Sequence, residues 1–407
     1  MSNRDKGRIL DVDLATGKIE KKAIGADFVR QYMGGMMFAH KILYEEAGPG
    51  VDPLGPDNII IFAPGAFTGS YIPQSGRMEI TTRNPYDGSL GTGNTGGFCG
   101  IALKHAGWDL LVLRNKAEKP VYLYIDDDSV QIKDAGHLWG KDANVTTEML
   151  ESELPYKLPI IALGQAGENL VPYACPTTEY HHGANRAGVG AVMGSKMVKA
   201  LAFRGTNPPQ PARPDKLVEA LIALHERREL SRQAMRMPGS YTGGGGALAR
   251  YLEYGGLRAK NYQSNYIPNL VERLGPETAR KYIAGKETTC RFRNSGFIPQ
   301  VMEVKDGRAK FLKGQDAELQ CFICPSPCFN YAVIKEGKYA GTVTGRPEFV
   351  GIACAWGANV AIDNLPAIWK CKEMCQRYGL DYVAASGTIA FAMELYQRGI
   401  LTKGDTD

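Results

Sequence analysis

The chain has 407 residues, a formal net charge of +5, and 44% hydrophobic against 22% charged residues, the balance of a globular protein rather than a disordered or fibrous one. The charge is small for this length, no block of basic residues argues for nucleic acid, and no apolar run is long enough for a membrane span. Nine cysteines, an odd number, behind a polar N-terminus (Met-Ser-Asn-Arg-Asp-Lys) lead us to expect the reducing cytoplasm and metal chemistry rather than disulfides.

A chain of this length exceeds one ordinary core, so two domains are expected. In chain order, strands are predicted over 8–14 and 18–23 around the turn Ala15-Thr16-Gly17, then over 58–62, 109–113, 120–125, 159–163 and 200–204. Helices are predicted over 25–46 and 144–153, and glycine clusters at 34–35, 65–69, 91–100 and 183–194 read as loops. The run Gly-Thr-Asn-Pro-Pro-Gln-Pro-Ala-Arg-Pro at 205–214 breaks the composition and divides the chain into domains 1–208 and 209–407. Beyond it the period becomes helical, at 216–235, 247–254, 276–284, 365–378 and 386–398. The expected class is α+β: a β domain with Gly-rich loops, then a mainly helical domain. The helix over 386–398 carries Ile389, Phe391, Ala392, Met393 and Leu395 almost without interruption, too apolar for a solvated face.

Cys321, Cys324 and Cys328 stand in Cys-Phe-Ile-Cys-Pro-Ser-Pro-Cys. Three thiolates at that spacing turn toward one iron–sulfur cube when a short loop curls around it, and Pro325 and Pro327 stiffen the loop by fixing φ. Tetrahedral zinc suits the same spacing, so both readings stay open on spacing alone. A fourth ligand is needed, and this stretch does not hold it.

Two segments pair glycine with polar residues. Residues 89–100 (Ser-Leu-Gly-Thr-Gly-Asn-Thr-Gly-Gly-Phe-Cys-Gly) let the backbone approach a ligand closely, and residues 180–196 do the same with Arg186 and Lys196 adding charge. Neither matches a Walker A or dinucleotide fingerprint, and by themselves both read first as tight β turns. A third Gly-containing turn, Gln74-Ser-Gly-Arg77, carries one arginine.

Taken with these elements, a set of motifs resembles the aldehyde ferredoxin oxidoreductase family of tungsten (rarely molybdenum) pterin enzymes. The motifs are Gly-Arg-Ile-Leu-Asp-Val-Asp-Leu-Ala-Thr-Gly at 7–17, Tyr-Met-Gly-Gly at 32–35, Gly-Gln-Ala-Gly-Glu-Asn at 164–169 and Gly-Ala-Val-Met-Gly-Ser-Lys at 190–196. Leu-Ala-Phe-Arg-Gly-Thr at 201–206, the cysteine triplet, Arg-Pro-Glu-Phe at 346–349 and Tyr-Gly-Leu-Asp at 378–381 complete it. The resemblance implies a two-layer β domain seating a bis-pterin tungsten or molybdenum cofactor, one 4Fe–4S cluster on Cys321, Cys324 and Cys328, and ferredoxin or a small iron–sulfur subunit as electron acceptor. By the same resemblance Arg77 bridges cluster and pterin, and the carbonyls of Asn94 and Gly183 hold a magnesium ion between the pterin phosphates. Gly96, Asn185 and Arg186 are implied as pterin contacts, with Gln376, Leu380 and Asp381 in a pterin-recognition loop.

The sequence also departs from the family. Gln376 stands where an acidic residue is usual, and His182 replaces an arginine of the phosphate loop, so protonation would set its contact. Glu348 is the candidate acid or base, whereas a second glutamate usual in the family is replaced by Val350. In the family's benzoyl-CoA reductase branch a cysteine takes that glutamate's place, and Cys354 lies nearby. Family members continue into a third, helical domain, so the expectation here is a fragment or split subunit completed by a second polypeptide. The expected reaction is aldehyde oxidation to a carboxylic acid. Low-potential reduction of an acyl or aromatic substrate, and a non-catalytic zinc-stabilised scaffold, are the alternatives.

Overall fold

The computed structural model describes residues 7–73, 75–235, 302–305, 308–311, 315–319, 329–334, 336–345, 355–356, 359–360, 362 and 365–406. The chain divides into two compact units. The first contains residues up to Gln210 together with Met374–Asp381; the second is drawn from the rest.

Two six-stranded sheets make the first unit. One takes the order β2(Ile19–Ala23), β1(Arg8–Asp13), β6(Leu110–Arg114), β3(Ile60–Pro64), β4(Met78–Arg83), β5(Leu90–Thr95). The other runs β11(His182–Gly183), β10(Thr177–Thr178), β9(Ile160–Ala162), β12(Val198–Arg204), β7(Val121–Asp126), β8(Ser129–Asp134). Only the β1–β6 and β7–β12 pairs among these strands are parallel. β3 is buried along its whole length and β6 up to Arg114, which explains continuous apolar runs in place of strict alternation. β2 lies at an edge and carries Glu20, Lys21 and Lys22, charges that discourage pairing with another chain.

The side chains sort by strand parity into three apolar layers. Leu10, Phe62, Leu111 and Ile80 of the first sheet share a cluster with Leu123, Ile161, Leu201 and Phe203 of the second. Helices α3(Cys99–His105) and α6(Val189–Ser195), the latter packed on the short α5(Gln165–Glu168), join this cluster and contact strands of both sheets. The opposite side of the first sheet, with Ile61 and Val112, packs on Phe38, Ile42 and Leu43 of α2(Met36–Glu46). The opposite side of the second, with Tyr122, Tyr124 and Ala202, packs on Leu150 of α4(Ala143–Glu153). α4 starts where the Asp142 side chain accepts from the Val145 amide at 2.9 Å. A bulge between Val198 and Ala200 lets β12 present Val198 and Leu201 to the same layer.

Three local expectations change. The helix predicted over 25–46 is two helices, α1(Ala26–Tyr32) and α2, separated where Met33, Gly34 and Gly35 all have positive φ. The Gly-rich stretch 89–100 is not a loop but strand β5 leading into α3. Its glycine at 93 is needed for close approach, because a Cβ there would lie 2.7 Å from the Ala184 carbonyl oxygen. Strands β4 and β8 escape the sequence reading altogether.

In the second unit, α7(Pro214–Met235) opens with a proline whose fixed φ suits a first helical turn. A hairpin joins β13(Met302–Lys305) to β14(Arg308–Phe311), and a three-stranded sheet joins β15(Gln315–Leu319), β16(Phe329–Val333) and β17(Val343–Gly345). Small sheets therefore interrupt the part expected to be mainly helical. The predicted helix 365–378 is observed as Leu365–Tyr378, and 386–398 begins earlier, as Tyr382–Gln397. That last helix buries its small residues Ala385, Ser386 and Ala390 and exposes Ile389, Phe391 and Met393. The helices predicted over 247–254 and 276–284 lie outside the described residues.

Candidate functional site

The first cluster of site residues is built on the β4–β5 pair, whose register sets Glu79 beside Asn94 and Thr81 beside Thr92. The Asn94 amide donates to the Glu79 carboxylate. Burial raises the Glu79 pKa, while Asn94 and the Arg77 charge oppose that rise. Arg77 leads into β4, and its carbonyl accepts from the Thr68 hydroxyl at 2.9 Å, which in turn accepts from the Gly65 amide at 2.8 Å. On the same strands His40 of α2 reaches Thr92 Oγ1 at 2.8 Å, and burial lowers its pKa.

The second cluster is the hairpin β10–β11. Glu179 and Tyr180 turn it with φ of 49° and 65°, a left-handed pair without glycine. The hairpin is joined to the end of β5 by Thr95 Oγ1 and Thr178 Oγ1, 3.1 Å apart, and by the Phe98 amide, which donates to Glu179. His182 is buried and Gly183 follows it, pairing with Thr177. Asn185 accepts from the Cys175 thiol at 3.3 Å. Arg186, Ala187 and Gly188 are all left-handed, at φ of 76°, 59° and 57°. Two of the three carry side chains, which costs of order 1 kcal/mol each and is the kind of strain that binding loops hold.

The segment Met374–Asp381 completes the arrangement. The Cys175 amide donates to the Gly379 carbonyl at 2.8 Å and the Asp381 amide to the Tyr173 carbonyl at 3.0 Å; Leu380 bridges Ala174. Gln376 donates through its side-chain amide to the His181 carbonyl at 3.1 Å, and its own carbonyl accepts from Thr177 Oγ1 at 3.0 Å. Gly164 lies so close beneath Tyr378 that any side chain at 164 would collide with its backbone, which accounts for the glycine opening Gly-Gln-Ala-Gly-Glu-Asn. Asp381, 1% exposed, accepts from the Arg186 amide at 3.0 Å and from its guanidinium. A buried carboxylate thus aims a side chain that is itself 61% exposed.

The structure brings Asn94, Gly96, His182, Gly183, Asn185, Arg186, Gln376, Leu380 and Asp381 into linked segments of one unit, with Arg77 beside Glu79. Lys196 departs from its expected role. It is fully buried, and its ammonium is spent on the carbonyls of Pro56, Asn58 and Asn115, with burial lowering its pKa to about 8. Glu79 and Glu179 were missed because strand parity and turn composition do not reveal which acids become buried. Cys321, Cys324, Cys328, Glu348, Val350 and Cys354 lie outside the described residues.

Arg186 presents a largely exposed guanidinium, and burial raises the pKa of two acids elsewhere in these segments, Glu79 and Glu179.

Residues 9–205 match the family model of the aldehyde ferredoxin oxidoreductase N-terminal domain, and 225–407 that of domains 2 and 3 of the same family. The tungsten-containing aldehyde ferredoxin oxidoreductase of Thermococcus kodakarensis is 34% identical over 398 residues, 97% of this chain and 59% of that protein. A Pyrococcus furiosus protein described as an aliphatic sulfonate oxidoreductase, WOR-like subunit, is 28% identical over 98% of this chain and 60% of that protein. Among solved structures, the active-site complex BamBC of benzoyl coenzyme A reductase with 1,5-dienoyl-CoA matches at a TM-score of 0.76 and 26% identity, over 98% of this chain and 57% of that one. The chain thus spans about three-fifths of the length of these relatives. With both family models matched and this identity along nearly its whole length, the chain belongs to the aldehyde ferredoxin oxidoreductase family.

Proposed function

We propose that this chain is the cofactor-seating part of an oxidoreductase that uses a tungsten (or molybdenum) bis-pterin and one 4Fe–4S cluster, oxidising aldehydes to carboxylic acids with ferredoxin as acceptor. The observation that carries the reading is the junction of β5, the β10–β11 hairpin and Met374–Asp381, which holds Arg186 exposed on a buried carboxylate. In this reading Arg186, Asn185 and Gly96 bind the pterins, and the carbonyls of Asn94 and Gly183 take the magnesium ion. Asp381 orients Arg186, while Gln376 and Leu380 fix the segment that carries Asp381. His182 supports the phosphate loop, and Arg77 links the pterin to a cluster held by Cys321, Cys324 and Cys328.

When bound, the metal–pterin group would supply the two-electron oxidation. Water provides the added oxygen: aldehyde and water give the carboxylic acid, two protons and two electrons. Glu348 would take a proton from that water, and a cluster held by Cys321, Cys324 and Cys328 would supply one-electron transfer to ferredoxin or a small iron–sulfur subunit. A second polypeptide, or further chain, would supply the remaining two-fifths of the relatives' length. The proposed division at about residue 208 leaves most of the pterin seat on its N-terminal side, while Gln376, Leu380 and Asp381 are contributed from beyond it. Among the described residues no helix is long and apolar enough to cross a membrane.

A second reading keeps the same cofactor and reverses the electron flow. The benzoyl coenzyme A reductase match and the replacement of a family glutamate by Val350 favour low-potential reduction of an acyl or aromatic substrate. Tungsten and iron per chain in natively purified protein, followed by viologen-linked assays with aldehydes and with aromatic acyl thioesters, separate the readings. Zinc in place of tungsten and iron would sink both.

A further inference from the structure

The turn that joins β4 to β5 carries a tyrosine with no part in the scheme above. Its backbone is closed by Asn84, whose amide donates to the Ser89 carbonyl at 2.9 Å and whose carbonyl accepts from the Gly88 amide at 3.0 Å. The Asn84 side chain accepts from the amides of Tyr86 at 2.9 Å and Asp87 at 3.2 Å, and donates to Ser89 Oγ at 2.8 Å. Five hydrogen bonds therefore fix the backbone on which Tyr86 stands. The Tyr86 side chain is half exposed and belongs to none of the apolar clusters of the first unit. Among the described residues its hydroxyl makes no hydrogen bond.

This turn is pressed against the left-handed segment that carries Arg186. A Cβ at Gly91 would stand 2.6 Å from Asn84 Cβ and 2.7 Å from Ala187 Cβ, so only glycine lets the two segments meet there. A Cβ at Gly188 would likewise stand 2.6 Å from Pro85 Cγ. Residues 84 and 85 thus lean on 187 and 188, which sets Tyr86 and Arg186 side by side at the rim of the proposed seat, both reaching into solvent. Burial and then the Asp381 charge push the Tyr86 phenol up to about 12, with Arg186 opposing. The hydroxyl is therefore a neutral donor at any ordinary working pH.

We propose that Tyr86 is a ligand-binding residue: its hydroxyl and the Arg186 guanidinium together grip one phosphate group of the bound cofactor. The inference deepens the tungstopterin reading and rests on it for the identity of the ligand; the pairing of phenol and guanidinium rests on the packing of the two segments. Asp381 offsets part of the Arg186 charge, so that arginine alone is a modest anchor for a phosphate dianion. A phenol adds a second donor without adding a charge. A tyrosine on a fixed turn also has few rotamers to lose on binding.

The test uses the full 407-residue chain in three forms: wild type, Tyr86→Phe and Arg186→Ala. Phenylalanine keeps the ring and removes only the hydroxyl. Each form is purified from cells grown without tungstate and titrated with inorganic phosphate, followed by phosphorus NMR. The dissociation constant should rise about tenfold in Tyr86→Phe and at least as much in Arg186→Ala, the loss expected when a donor to a charged group is removed. Urea unfolding of phosphate-free Tyr86→Phe should match the wild type, which assigns the loss to the contact. In cells supplied with tungstate, tungsten per chain should fall severalfold in Tyr86→Phe. Phosphate affinity equal in wild type and Tyr86→Phe overturns the proposal, as does a wild type that binds no phosphate. Wild-type protein that takes up no tungsten, yet binds phosphate and loses it in both variants, overturns the tungstopterin reading and leaves the Tyr86–Arg186 grip standing.

Discussion

The two ends of helix α6 make an instructive pair. Before it stands Arg186, exposed, on left-handed backbone, aimed by the buried Asp381. After it stands Lys196, buried, with three backbone carbonyls around its ammonium. In the sequence both are cations in one Gly-rich segment. The difference is that one cation is enclosed by carbonyls inside the fold, whereas the other is held by a buried carboxylate with most of its side chain at the surface. Lys199, just beyond, repeats the inward pattern with Glu168 and the carbonyls of Lys141 and Leu163.

The comparison is broken most forcefully at Lys196. Lys196→Met should cost about 2–4 kcal/mol in urea unfolding, because three buried carbonyls lose their donor. A cost within error of zero would mean the ammonium is not what joins those segments. The same group predicts a pH effect. Its folded pKa of about 8 lies below the ordinary 10.5, so the fold carries the full cost of a buried charge below about 8 and recovers it as pH rises toward 10.5. Wild-type stability relative to Lys196→Met should rise across that window by up to about 3 kcal/mol. A flat difference would show that the carbonyls hold the lysine charged throughout.

At the other end the effects on folding shrink and those on the ligand grow. Asp381→Asn should cost about 1 kcal/mol, since an amide still accepts from the Arg186 backbone but gives up the charge-assisted bond. Arg186→Ala should change stability by less than about 1 kcal/mol, as expected for a largely exposed partner. Both variants should lower tungsten per chain severalfold, read by metal analysis. Arg77→Ala should leave thermal unfolding of the β unit nearly unchanged while iron content or reduction of the cluster drops. Full metal content in all three would remove these residues from the proposed seat.

The apolar strands were legible because β1, β3, β6, β7 and β12 are interior strands whose runs of Leu, Ile, Val and Phe have few alternatives. β5 was not, since glycine in Leu-Gly-Thr-Gly-Asn-Thr looks like a loop until Ala184 is seen pressing on Gly93. β4 and β8 were hidden by their polar faces, Glu79 and Thr81 in one, Ser129, Gln131 and Lys133 in the other. At the site, family motifs marked Arg186 and Asp381, but their ion pair joins residues 195 positions apart and no local pattern encodes it. Glu179 was invisible for the same reason: its partner amide lies 81 residues earlier.

The order of strands along the chain has a consequence for biosynthesis. Every strand of the first sheet lies between Arg8 and Arg114, and every strand of the second between Val121 and Arg204. The first sheet can therefore hydrogen-bond completely while the second is still being translated. Its side lined by Leu10, Phe62 and Leu111 stays wet until Phe203 emerges, on the order of ten seconds at ordinary elongation rates. For that interval the nascent chain displays a finished greasy wall with nothing to lean on, which makes the stretch from Arg114 to Arg204 the natural moment for a ribosome-associated chaperone to hold it.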